Sequence, residues 1–143
     1  MEESIRIEKV AYTESCSDEI KQALKDRVYV FEPGIIYFKQ IPLLSPFSMQ
    51  LMFEELFRLG STFEKWGVIL DLRDGSKPDA KTRRVINEVL HRMADETEHL
   101  SILTKGLFLN TVIRFVMYGI DMKSLLVSTN YDQVLEAVRK AVR

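Results

Sequence analysis

Residues 66–84 read WGVILDLRDGSKPDAKTRR, and this stretch decides the fold. Val68-Ile69-Leu70 is a short apolar run that stops abruptly at Asp71. A polar loop follows, and a helical pattern begins near Asp79. The stretch therefore reads as a buried strand, a loop at its carboxyl end and a helix N-terminus. In open α/β sheets that edge is where ligands and partners bind. Asp71, Arg73, Asp74, Gly75, Ser76, Lys77 and Asp79 crowd the loop, which makes it the first place to look for a site.

Working outward, the chain alternates helix and strand on the C-terminal side. The spacing predicts a helix from Asp79 to about Glu98, with Val85, Ile86, Val89, Leu90 and Met93 on its apolar side. A strand is expected at 100–104, a helix at 107–118, a strand at 124–128 and a helix at 131–142. Asn130 stands where it can cap that last helix by accepting a backbone N–H bond. On the N-terminal side, Pro46 suits a first helical turn, where its missing N–H costs nothing. Leu51, Met52, Leu56, Leu59 and Phe63 then recur at helical spacing, and Phe53 and Phe57 broaden the face. Gly60 is a candidate break. Val28-Tyr29-Val30-Phe31 and Ile35-Ile36-Tyr37-Phe38 flank Glu32-Pro33-Gly34, a tight-turn signal, and predict a hairpin. Ser17-Asp18-Glu19 opens a short helix carrying Ile20, Ala23 and Leu24. Ile5, Ile7 and Val10 alternate with polar residues and predict a further strand.

Three β–α steps after a hairpin imply parallel strands joined by right-handed crossovers. Parallel strands need helices over their faces. The expected architecture is α/β: one domain over 1–143, with a mixed sheet, an N-terminal hairpin and β–α repeats. The chain has 143 residues, enough for one core without staples. Its 46% hydrophobic and 29% charged residues are ordinary for a globular domain. A net charge of −1 gives no electrostatic reason to expect nucleic acid. Cys16 is the single cysteine, so no intramolecular disulfide forms, which suits a reducing cytoplasm. The N-terminus lacks a signal-peptide pattern, and no apolar run reaches membrane-spanning length.

Two segments resemble the STAS domain family, the sulfate-transporter and anti-sigma-factor-antagonist fold. They are VILDLRDGSKPDA at 68–80 and STNYDQVLEA at 128–137. The likeness is greatest to the SpoIIAA-like branch described as STAS/SEC14-like, and it runs from the hairpin to the C-terminus. In STAS regulators a strand ending in Asp-Leu leads to Asp-Ser at a helix start, and a partner kinase phosphorylates that Ser. Here Asp71-Leu72 matches the strand end and Asp79-Ala80 falls on the Asp-Ser pair. Ala80 has no hydroxyl, so the resemblance implies a binding domain without the usual phosphoswitch. Ser76 and Thr82 are nearby hydroxyls off the matching position.

Other chemistries fit less well. Asp71 and Asp74-Gly75-Ser76 are similar to the aspartyl-phosphate loop of haloacid-dehalogenase phosphatases, but the carboxylates are one residue too far apart for the general acid. His91 and His99 lie eight apart without a paired carboxylate, and zinc needs three or four ligands. Solvated or capping histidines are expected. No metal or cofactor is implied. Lys77, Lys81, Arg83 and Arg84 form a basic cluster at a helix start, against the macrodipole at a cost of about 0.3–1 kcal/mol. That cluster reads as a solvated face or as a seat for an acidic partner or phosphate-bearing head group.

The 107–118 helix is apolar on nearly all sides, interrupted mainly by Asn110, Thr111 and Arg114. One sheet covers one face, so the excess implies a partner or ligand. Phe108, Val112, Phe115 and Tyr118 are the expected contacts, and Phe47, Phe53 and Phe57 give the 46–63 helix a similar excess. The resulting expectation is a non-enzymatic binding domain whose partner is a protein, itself included as a homodimer. Asp71, Arg73, Asp74, Ser76, Lys77, Asp79, Arg83 and Arg84 would set specificity by charge. The alternative is a SEC14-like carrier of a lipid or small apolar ligand, with a cavity between the sheet and the 107–118 helix.

Overall fold

The structure, a computed structural model, describes residues 6–117 and 121–143, and of 115–117 the backbone only. Its described elements are α1 (Asp18–Lys25), β1 (Val28–Glu32), β2 (Ile35–Lys39), α2 (Pro46–Gly60), β3 (Gly67–Asp71), α3 (Ala80–Glu96), β4 (His99–Leu103), α4 (Leu109–Met117), β5 (Leu125–Ser128) and α5 (Tyr131–Val142). A single 3₁₀ turn, Gly106–Phe108, leads into α4. The five strands form one sheet in chain order, β1-β2-β3-β4-β5. The β1–β2 pair is antiparallel and the other three pairs are parallel, so the sheet is mixed as expected.

Local chemistry sets these boundaries. Gly34 turns the hairpin at a φ of 84°, where a side chain would be strained. Side-chain oxygens cap four helices: Ser17 for α1, Ser45 for α2, Asp79 for α3 and Asn130 for α5. In α2 the cap is reciprocal: Ser48 N–H donates to Ser45 Oγ at 3.1 Å, and Ser45 N–H to Ser48 Oγ at 3.0 Å. Pro46 occupies the first turn of α2, and the helix stops at Gly60 rather than Phe63.

The pleat divides the core in two. Ile36, Phe38, Val68, Leu70, Leu100 and Ile102 face a large core with Leu24 of α1, Met52 and Leu56 of α2, and Leu90 and Met93 of α3. Ile35, Tyr37, Ile69 and Leu103 point the other way, against Val134, Leu135 and Val138 of α5. Every residue of β3 and β4 is buried, as strands covered on both faces must be.

Three expectations are corrected. Residues 6–10 form no strand; Glu8 N–H donates to the Tyr12 phenol at 2.8 Å instead of to a ladder. Ile7 packs on the large core all the same, and Ile5 lies outside the described residues. Phe53 and Phe57 give α2 no exposed apolar face: both are buried, Phe53 stacked on Phe38 and Phe57 edge-on to Trp66. His99 is neither solvated nor a cap. It is a buried residue of β4 between Ser124 and Ser101.

Candidate functional site

The ladder continues past the carboxyl ends of the parallel strands. Leu72 N–H donates to Leu103 O at 2.8 Å, Gln40 N–H to Asp71 O at 2.9 Å and Thr104 N–H to Ser128 O at 3.1 Å. Immediately beyond, Gly75 N–H closes a turn onto Leu72 O at 3.1 Å. A Cβ on Gly75 would lie 2.7 Å from Gln40 Cγ, so the loop lies this close to β2's end only with glycine there. Gln40 has little room to yield: its Oε1 accepts from Ile41 N–H at 2.9 Å and its Nε2 donates to Met49 Sδ at 3.4 Å.

The loop so placed walls a cavity of about 580 Å³ over the ends of β3 and β4. Phe53, Leu70, Leu72 and Ile102 floor it. From α3 come Arg83, Ile86, Asn87 and Leu90, spaced along one helical face. The 3₁₀ turn and α4 supply Phe108, Thr111, Val112 and Arg114. Most of the lining is apolar, and its charged members are Lys77, Arg83 and Arg114. Among the described residues no carboxylate lines it. The hydroxyl oxygen of Ser76 is buried in the wall without a hydrogen-bond partner among the described residues.

The expected charged residues therefore separate into groups. Ser76, Lys77 and Arg83 border the cavity. Asp71 and Arg73 do not, because the pleat turns Asp71 to the α5 side. There Arg73 clasps it with Nε on Oδ1 at 2.9 Å and Nη2 on Oδ2 at 2.8 Å, while Tyr37 donates to Oδ2 at 2.5 Å. Burial alone would push the Asp71 carboxyl up, but these hydrogen bonds outweigh it and hold it below its ordinary value. Burial first, then the hydrogen bond to Asp71 and its charge, raises the Tyr37 phenol. Asp79 takes Thr82 N–H at 2.8 Å as the α3 cap; that bond first, then the charges of Lys81 and Arg83, lowers its pKa. Asp74 and Arg84 are exposed outside the cavity.

Of the expected apolar contacts, Phe108 and Val112 both line the cavity. Phe108 is also 41% exposed, and Leu107 beside it is 90% exposed. The Phe115 side chain and all of Tyr118 lie outside the described residues. Sequence reasoning did not reach Gln40, Asn87 or Thr104; it named Phe53 only for an apolar excess on the 46–63 helix, and Thr111 and Arg114 only as polar interruptions of the 107–118 helix. The helical spacing of Arg83, Ile86, Asn87 and Leu90 was the one available signal.

The second buried polar cluster centres on His99. Its Nε2 is 2.6 Å from Ser101 Oγ and its Nδ1 is 2.7 Å from Ser124 Oγ. Ser101 gives its only proton to Val134 O at 3.0 Å, so it accepts from Nε2–H, and Nδ1 accepts from Ser124. Burial pushes the imidazole down to about 4. The ring is thus neutral and fixed in one tautomer, tying β4 to α5. His91 is exposed on α3, and among the described residues no three His, Cys, Asp or Glu side chains converge for a metal. Among them, too, no helix is long and apolar enough to cross a membrane.

The geometry defines a mixed α/β sheet whose strands run in chain order, with a cleft at the carboxyl ends of β3 and β4. A scan against protein-family models finds no match to this chain, and a search of curated proteins finds none.

Proposed function

We propose that this chain is a non-enzymatic, cytoplasmic STAS-like domain of the SEC14-like kind, which holds a small apolar or amphipathic ligand over the ends of β3 and β4. The observation that carries the reading is the cavity of about 580 Å³ between the sheet and α4, in the size range of small-molecule sites. The hairpin followed by parallel β–α units supports the STAS resemblance. The engagement of Asp71 by Arg73 and Tyr37 supports a binding rather than a hydrolytic role, since neither oxygen is free to attack. Titration with Nile red, a neutral apolar dye, tests the reading. The wild type binds one equivalent, and Ile86→Trp, which fills the cavity from α3, abolishes binding while the fold persists. Undiminished binding by the folded variant sinks it.

A second reading rests on Leu107 and Phe108, whose exposure leaves an apolar step at the cavity mouth. It makes that step a docking point for a protein, including a second copy of the chain. Light scattering on the wild type and Leu107→Glu tests it: a dimer that becomes a folded monomer supports it, and a wild-type monomer removes the homodimer.

A further inference from the structure

We propose that the cavity selects a single-chain amphiphilic anion, its tail on the apolar floor and its head group on Arg83, Arg114 and Lys77. This rests on the ligand-binding reading above and adds the chemical class. Three observations converge on it.

Charge comes first. Lys77, Arg83 and Arg114 line the same cavity, yet each comes from a different element: the 72–79 loop, α3 and α4. None makes an ion pair or side-chain hydrogen bond among the described residues. The acids of the neighbouring loop lie outside the cavity: Asp71 is held by Arg73 and Tyr37, Asp79 caps α3 beside Arg83, and Asp74 is exposed. Three cations around a low-dielectric hollow attract an anion and repel a cation.

The second observation is Ser76. A buried hydroxyl oxygen without a partner is uncommon in a native fold, and this one is in the cavity wall beside Lys77. The oxygen has no partner inside the wall among the described residues, and rotation of the Ser76 side chain towards the cavity would let a carboxylate or phosphate oxygen accept its proton. Thr104 and Thr111 add two further hydroxyl-bearing residues to the lining.

Volume sets the tail. At roughly 30 Å³ per methylene, about the share of a water molecule, one twelve-carbon chain needs about 360 Å³ and two sixteen-carbon chains about 960 Å³. The cavity of about 580 Å³ has room for one such chain with its head group and is smaller than two sixteen-carbon chains require. Phe53, Leu70, Leu72, Ile102 and Leu90 offer that chain a continuous apolar surface.

The experiment compares dodecanoate, dodecyl phosphate, dodecanol and dodecylamine as competitors of Nile red, below their micelle concentrations. At least one of the two anions should bind at least about ten-fold tighter than dodecanol, as charge-assisted hydrogen bonds predict. The ratio of the two anions tells a carboxylate from a phosphate source. Dodecylamine should bind worst. Arg83→Met with Arg114→Met should bring the affinities of the two anions down to that of dodecanol measured on the same variant. Both arginines are exposed, so the variant keeps its fold. Dodecanol binding as well as both anions overturns this inference and leaves the apolar-ligand reading standing. An anion preference that survives the double variant also overturns it. Binding of no dodecyl compound, with Nile red indifferent to Ile86→Trp, overturns both.

Discussion

Tyr37 and Asp71 join neighbouring strands β2 and β3 by a phenol-to-carboxylate hydrogen bond of 2.5 Å on the α5 face of the sheet. Arg73 completes the enclosure of Asp71, so the residue that looks most like a nucleophile in the sequence is committed to holding strand ends together.

Asp71→Asn should therefore cost stability, not activity. It keeps an acceptor for Tyr37 but removes the charge facing Arg73, for a loss of about 1–3 kcal/mol. Urea unfolding measures this. Unchanged stability, or magnesium-dependent phosphate-ester turnover that the variant abolishes, would reverse the assignment.

His99 gives the fold an acid-sensitive point. Its folded-state pKa is about 4, against 6.5 ordinarily. As pH falls below 6.5 the unfolded chain takes up a proton that the folded chain refuses. Stability is thus fully present above about pH 6.5 and is lost towards pH 4, by up to about 3 kcal/mol. Asp71, with its depressed pKa, adds to acid lability at lower pH. His99→Asn should flatten the slope between pH 6.5 and 4 while lowering stability at neutral pH. A wild-type profile already flat over that window contradicts the buried neutral ring.

Phosphorylation at the start of α3 is not expected. Ala80 has no acceptor, Thr82 is fully buried and the Ser76 oxygen is buried in the cavity wall. Incubation with cell extract and ATP, followed by phosphosite mapping, should find no stoichiometric modification at Ser76 or Thr82. A quantitative phosphate at either would overturn this expectation.

Gly60→Ala should destabilise, although alanine is the better helix former by about 1 kcal/mol. The added Cβ would stand 2.3 Å from the Trp66 indole, a rigid ring wedged edge-on against Phe57. Overpacking of that kind costs about 1–3 kcal/mol and wins. Thermal unfolding decides it; a raised Tm would show that the indole moves aside freely.

Much of this architecture was legible because its determinants are local. The apolar run at 68–70, the Pro33-Gly34 turn and the caps Ser17, Asp79 and Asn130 act within a few residues of themselves, and each appears where the sequence placed it. The alternation of Ile5, Ile7 and Val10 misled because a strand also needs an edge to pair with, and there Glu8 N–H is taken by Tyr12. The site was half legible for a similar reason. Loop composition pointed to 71–84, but the pleat sends Leu70 and Asp71 to opposite faces, and only Ser76, Lys77 and Arg83 of the charged set meet the cavity. Gln40, Phe53, Asn87 and Arg114 join them from four separate segments, a convergence that no local spacing encodes.

Among the described elements, α5 is the sole helix over the second face of the sheet, and it follows in the chain every strand that it covers. During synthesis the nascent sheet is accordingly one-sided: Ile35, Tyr37, Ile69 and Leu103 present a raw apolar surface until α5 leaves the ribosome. A premature stop or a proteolytic nick before Tyr131 would yield no smaller working domain. It would leave a sheet open on one side, the kind of species that chaperones hold and proteases clear.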